Sequence, residues 1–380
     1  MKVIIIENNL RGYVGHFFNM TAGIKGSLER AEIENDVLIN QRARPKLCSQ
    51  LNAKAIFLDT SYPSLMESDQ AAALQFYGKR FAESLKNLNP LPGPDDWMLI
   101  VTAFQVQIYG IAIYLETLAP ERRPGVIAFV HSSNSQTTPE HQKTWRDATE
   151  KIVSTVGEKR FLFVCPTQQL ADRFRVALNY ETLLWPVPMN YGSPQILKSR
   201  KLNKCCQISA IGQPRPQKGF RLLPRIVLYT KIRRLKVRFS IQVPSASKLR
   251  YIKYIPGIDS FAGGRSFSEH LEVLCQTDIL LLPYISKKYA ETVSGLFLEG
   301  AAMGCVMVVP SNTWMAQQIV NNRAVGVNFS EPSPASIVRA LTIAIDNLPQ
   351  LSAAAMQCTE YWWQHQSADA FVKHLLSATE

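Results

Sequence analysis

Residues 278–310 read Asp-Ile-Leu-Leu-Leu-Pro-Tyr (278–284), Ile-Ser-Lys-Lys-Tyr-Ala (285–290), Glu-Thr-Val-Ser-Gly-Leu-Phe-Leu-Glu-Gly-Ala-Ala-Met-Gly (291–304) and Cys-Val-Met-Val-Val-Pro (305–310). An apolar run, a polar stretch, a segment of helix length and a second apolar run follow one another, which predicts a strand, a loop, a helix starting near Ser294, and a second strand. In an open α/β sheet that loop lies at the carboxyl edge of the strands, where ligands bind. Unpaired backbone N–H groups of Ser294 and Gly295 at the positive end of the helix suit a phosphate. The flanking carboxylates, Glu291 and Glu299, can accept hydrogen bonds from ligand hydroxyls. Phosphate and hydroxyls together suggest a nucleotide sugar. The spacing alone also fits a capping residue and a solvated helix face. Against that, Leu296, Phe297 and Ala301 leave Glu299 inside a largely apolar helix, where a carboxylate needs a partner.

Outward from this segment the same grammar repeats. Strands are expected at 207–211, 237–242, 279–282, 306–309 and 325–329, with helices at 220–230, 266–276, 294–303, 313–321 and 334–347. The first half predicts strands at 3–6, 37–40, 55–58, 97–102, 126–131 and 161–165, and helices at 16–29, 70–88, 106–118, 139–156 and 168–178. Strand followed by helix, repeated, means a parallel doubly wound sheet in each half. Residues 185–194 break the pattern with three prolines and a glycine and read as the linker. The expected domains are therefore 1–190 and 191–355, two similar α/β halves facing a central cleft. A helical run over 352–379 follows, with 356–380 expected to pack back towards the first domain and Trp362 and Trp363 serving packing.

The chain has 380 residues, 46% of them hydrophobic and 19% charged, which is the composition of a folded protein too long for one ordinary core. No run of about 18 uncharged apolar residues occurs, so no membrane span is expected. Seven cysteines lie scattered without a C-x-x-C pair, which favours reduced thiols in a cytoplasmic setting over a disulfide frame or a zinc site. The net charge of +12 has one source. Residues 182–258 contain no Asp or Glu but 16 Lys and Arg, leaving 26 basic residues against 30 acids elsewhere. The basic 198–253 region would attract a diphosphate, nucleic acid or an anionic membrane surface; a solvated basic face that aids solubility fits it equally.

A second loop bears on the diphosphate. Gly212-Gln-Pro-Arg-Pro-Gln-Lys-Gly-Phe220 follows one predicted strand and leads into a helix, placing Arg215 and Lys218 at the same carboxyl edge as Ser294. Arg grips phosphate oxygens in pairs and Lys adds a mobile point charge. The order is not that of a Walker P-loop.

With both loops read, the chain resembles the retaining glycosyltransferases of the GT-B fold, especially the family 4 class. The resemblance rests on Glu291, Gly295, Glu299, Ala301, Ala302 and Gly304, on Lys218-Gly219-Phe220 after Gly212, and on the strand at 278–284. It is strongest over 206–330. It implies that Glu291 contacts hydroxyls of the transferred sugar, Glu299 the ribose, the amides of Ser294, Gly295 and Leu296 the diphosphate, and Lys218 neutralises it. Two departures stand out. Many members have Glu-Gly-Phe-Gly where this chain has Glu291-Thr-Val-Ser-Gly, and the Arg often found after the first loop glycine is Gln213 here, with Arg215 two positions on. In the first domain the resemblance points to Gly15, in the loop Arg11-Gly-Tyr-Val-Gly-His16, and to His131 after its strand; taken alone these fit a turn and a packed strand-end residue.

The implied reaction is transfer of a sugar from a nucleoside diphosphate sugar to an acceptor hydroxyl with retention of configuration. Lys218 and Arg215 would stabilise the leaving diphosphate. No Asp-x-Asp pair stands out to hold a metal, so metal-independent chemistry with no cofactor is expected. The expected acceptor is a glycan or lipid-linked saccharide, with peripheral membrane contact left open. A nucleic-acid acceptor such as a modified DNA base, or a non-catalytic binding protein on the same fold, are the alternatives.

Overall fold

The computed structural model describes residues 1–13, 16–61, 69–131, 139–200, 203–212, 215–243, 255–262, 266–285 and 289–379. The chain divides into two compact units, one formed by Met1–Asn190 with Ala368–Glu380 and the other by Tyr191–Ser367.

The first unit carries seven parallel strands: β1 (Lys2–Glu7), β2 (Glu34–Asn40), β3 (Ala53–Phe57), β4 (Trp97–Ile100), β5 (Gly125–Phe129), β6 (Phe161–Cys165) and β7 (Leu183–Leu184). They lie in the order β3-β2-β1-β4-β5-β6-β7. β1 from Val3 onward, β4 and β5 are buried throughout, as strands covered by helices on both faces must be. One side of the core is aromatic. Trp145, on the helix Pro139–Val156, meets Phe163 of β6 and Phe174 edge-on, with ring centroids 5.6 and 5.3 Å apart. The final helix, Ala368–Thr379, is held in this unit by Phe371, whose ring meets Phe129 and Trp185 edge-on at 5.4 and 5.3 Å.

The second unit carries six parallel strands: β8 (Cys206–Ala210), β9 (Val237–Val243), β10 (Ile258–Ala262), β11 (Ile279–Leu281), β12 (Val306–Pro310) and β13 (Gly326–Phe329), in the order β10-β9-β8-β11-β12-β13. Asp278 ties its centre together, accepting the backbone N–H of Gln207 at 2.8 Å and the Asn203 amide at 3.0 Å. The helix Gly295–Ala302 is fully buried from Leu296 to Ala302, with Phe297 edge-on to Trp314 and Trp362.

In both sheets the strand order reverses once, between β1 and β4 and between β8 and β11. Connections leaving these strands diverge to opposite faces and open a crevice at the carboxyl ends. Four elements escape the sequence pattern, the first being β7, which at two residues is too short to show one. The helix Pro45–Leu51 is too short to show a period, β10 follows the polar stretch 244–254, and the C-terminal helical run is two helices, Leu348–His365 and Ala368–Thr379, broken at Gln366–Ser367.

Candidate functional site

The β8–β11 switch point gathers the residues that the sequence singled out. β8 runs into Gly212 and the short 3-10 turn Pro216–Lys218; β11 runs into Pro283 and Tyr284 and then to the N-cap Ser294. The two loops are bonded to each other: the Ile285 N–H donates to the Gln217 carbonyl at 3.0 Å. Gly219 lies in the left-handed region (φ 69°), and a β-carbon there would fall 1.8 Å from the Pro283 carbonyl oxygen. Only glycine permits that approach. It brings the half-buried Lys218 ammonium 5.4 Å from the centre of the Tyr284 ring and 3.4 Å from where a Gly212 β-carbon would stand, beside Leu296.

Burial lowers the Lys218 pKa from its ordinary value, and the Arg215 charge acts the same way; Tyr289 and Glu299 pull against them. Arg215 is exposed beside this group. Ser294 Oγ accepts the Phe297 N–H at 3.3 Å and lies 3.5 Å from the Tyr284 hydroxyl, so it caps the helix and the amides of its first turn point into the crevice. Glu299 is only 9% exposed and is the partner of His270, Nε2 to Oε2 2.8 Å. His270 carried no sequence signal, because it comes from a separate helix, Phe267–Cys275. Glu291 is half-buried three residues ahead of the cap. The arrangement is a cation and a capped helix start facing one crevice, with a buried carboxylate one helical turn in. Such a combination has the chemistry to hold an anion and hydroxyls together. Among the described residues no group of three or more His, Cys, Asp or Glu side chains is placed to hold a metal ion.

No protein-family model matches the chain, and no curated protein matches it. Solved structures do. A glycosyltransferase from Rickettsia africae ESF-5 superposes with a TM-score of 0.69 at 12% identity, covering 100% of this chain and 97% of that one. Anabaena HepE in complex with UDP and glucose gives 0.65 at 13%, covering 100% of both chains. A UDP-forming trehalose-phosphate synthase from Burkholderia xenovorans gives 0.65 at 12%, covering 100% of this chain and 99% of that one. The fold is GT-B: two Rossmann-like α/β units.

The first unit has its own polar crevice at the β1–β4 switch point. Gly15 falls outside the described residues, but His131 follows β5 there, with Nε2 3.4 Å from Thr102 Oγ1 and its ring edge-on to His16 at 4.6 Å between centroids. Burial pushes His131 down to about 4, so the ring is neutral at neutral pH. Glu7, at the end of β1, is 1% exposed. Burial pushes its carboxyl up to about 7, against hydrogen bonds to Thr102 and Asn9 that favour the anion. The folded chain thus holds this proton more tightly than the unfolded chain, whose value is the ordinary 4.5. The stability from Glu7 is complete below pH 4.5 and is lost as pH rises to about 7, an effect of about 3 kcal/mol. Glu7→Gln is expected to remove it: in urea unfolding, the variant should gain on the wild type at pH 8 relative to pH 5, and an unchanged difference would contradict the shift. Sequence reading passed over Glu7 because one acid closing an apolar strand resembles an ordinary strand end.

The basic run divides by role. Arg200 is spent on structure, donating to the carbonyls of Leu274, Cys275 and Thr277. Arg221, Arg225, Lys231, Arg233, Arg234 and Lys236 are exposed, alongside Leu228 (53% exposed) and Ile232 (68%) on the helix Leu223–Ile232. Among the described residues no helix is long and apolar enough to cross a membrane.

Proposed function

We propose that this protein is a glycosyltransferase that moves a sugar from a nucleoside diphosphate sugar to an acceptor hydroxyl, with retention and without a metal. The observation that carries the reading is that one switch point gathers Lys218, the capped start of Gly295–Ala302 and the buried Glu299. HepE, solved in complex with UDP and glucose, and the UDP-forming trehalose-phosphate synthase agree with it. Lys218 and the helix start, with Arg215 at the rim, stabilise the charge that develops on the departing diphosphate. Glu299 accepts hydrogen bonds from the ribose, one of its oxygens being held by His270. Glu291 orients the transferred sugar, Gly212 and Gly295 allow close backbone approach, and His131 is assigned a part in the chemistry. The cations already present at the crevice take the part a metal would play, so turnover should persist in a chelator. Retention is read from the anomeric coupling of the product.

A saccharide acceptor, free or lipid-linked, is the reading we adopt. The exposed Leu228 and Ile232 among the cations, with Tyr229 exposed between them, suit a lipid surface, where aliphatic side chains enter the interface and a tyrosine sits at its edge. The seven cysteines are all free, in keeping with a cytoplasmic setting.

The test is thermal stability with nucleoside diphosphates and their sugars. A true donor nucleotide at about 100 times its Kd adds about 2.7 kcal/mol, which raises the melting temperature by roughly 3 °C if the chain unfolds as one and by roughly 7 °C if the second unit melts by itself. Glu299→Ala should weaken that ligand about 10- to 100-fold, the worth of hydrogen bonds to a charged acceptor. No response to any nucleotide would remove the donor reading.

A further inference from the structure

We propose that Glu7, Thr102 and His131 form a proton relay at the carboxyl edge of the first sheet, in which Glu7 is a positioning residue that selects the tautomer of His131 through the Thr102 hydroxyl. The three come from different strands that the switch point brings together: β1 ends at Glu7, while Thr102 and His131 lie just past the ends of β4 and β5. Glu7 Oε1 accepts the Asn9 N–H at 3.1 Å, and Oε2 is buried without a partner of close geometry among the described residues. Thr102, itself 2% exposed, comes directly after Val101, whose N–H bonds the Ile6 carbonyl at 3.0 Å; this sets Thr102 beside Glu7 at the strand ends, where it favours the carboxylate, and its hydroxyl faces His131 Nε2 at 3.4 Å on the other side. Unlike the surrounding amides of Asn8, Asn9 and Gln107, these groups exchange protons.

A threonine hydroxyl has one proton, and that couples its neighbours. When Glu7 is protonated, it donates to Thr102 Oγ1, and Thr102 donates to His131 Nε2, so the ring carries its proton on Nδ1. When Glu7 is ionised, Thr102 donates to the carboxylate and its oxygen accepts from His131, so the ring must carry its proton on Nε2. In the change, the Glu7 proton passes to Thr102, the Thr102 proton passes to Nε2, and the Nδ1 proton leaves. One proton is released, and the Nδ1 lone pair becomes available to a ligand hydroxyl. Among the described residues, the titratable groups facing the relay are its two ends and His16, whose ring meets that of His131.

Ring-nitrogen NMR of the 15N-labelled full-length protein from pH 5 to 9 reads this directly, since protonated and unprotonated imidazole nitrogens differ widely in shift; His131→Asn assigns the signals. His131 is expected to pass from the Nδ1–H to the Nε2–H tautomer across neutral pH. Glu7→Gln should hold it in one tautomer throughout, Thr102→Val should abolish the step, Thr102→Ser should preserve it, and His16→Asn should leave it in place. A step that survives Glu7→Gln or Thr102→Val, or its absence from the wild type, overturns the relay. Should Glu7→Gln not fold, the Thr102 pair decides alone. Because the readout needs neither donor nor turnover, failure here is separate from failure of the nucleotide-sugar reading.

Discussion

Lys218→Ala is expected to lower turnover by about 10²- to 10³-fold, the loss seen when one preorganised donor to a developing anion is removed. The ammonium is fixed in place by its surroundings. It lies over the Tyr284 ring and close to Gly212, at the same switch point that presents the first turn of Gly295–Ala302. A charge half-removed from water acts more strongly on a leaving diphosphate than one on the surface, and no reorganisation is needed as the bond breaks. Since the charge is worth more to the transition state than to the bound donor, kcat should fall further than KM rises. Arg215, exposed at the rim, should cost less on removal. Because burial holds the Lys218 pKa below that of an ordinary lysine, activity should decline on the alkaline side earlier than lysine in water would allow, and Lys218→Arg should lose that alkaline limb. Steady-state kinetics on the donor that the thermal screen identifies settle the matter. A variant with unchanged kcat would move the catalytic cation elsewhere.

The architecture was legible because its signals are local. A buried parallel strand must be a short apolar run, and a crossover helix must follow it, so β1, β4, β5, β6, β8 and β12 are visible without any tertiary information. What failed to show is what depends on partners. The short helix Pro45–Leu51 is shaped by its place next to β3, not by a period of its own. The candidate donor loops could be paired only because both follow strands; that β8 and β11 are neighbours, and so bring Gly212 and Lys218 beside Ser294 and Leu296, is a consequence of strand order. His270 and Glu7 mark the limit of such reading. One acquires meaning from the carboxylate of another helix, the other from a threonine and a histidine at the ends of neighbouring strands.

Gly219→Ala should destabilise the second unit by about 3 kcal/mol and weaken nucleotide binding at the same time. Two penalties combine. A residue with a side chain at φ 69° carries about 1 kcal/mol of backbone strain. The added carbon would also stand 1.8 Å from the Pro283 carbonyl oxygen and 2.8 Å from its carbon, atoms of a backbone that cannot rotate away as a side-chain end does. Overpacking of that kind costs roughly 1 to 3 kcal/mol even after relaxation. The relief must come from parting the two loops, which breaks the Ile285 to Gln217 hydrogen bond and carries Lys218 away from Tyr284. Gly257→Ala separates the two penalties within the same unit. Its φ is 82° and its nearest atom, the Val237 carbonyl oxygen, is 3.8 Å away, so it should cost the strain alone and leave nucleotide affinity intact. Calorimetric unfolding of both variants, with and without the nucleotide, distinguishes them. If Gly219→Ala melted like Gly257→Ala and bound the nucleotide as tightly as wild type, the close approach of the two loops would not be what holds the site together.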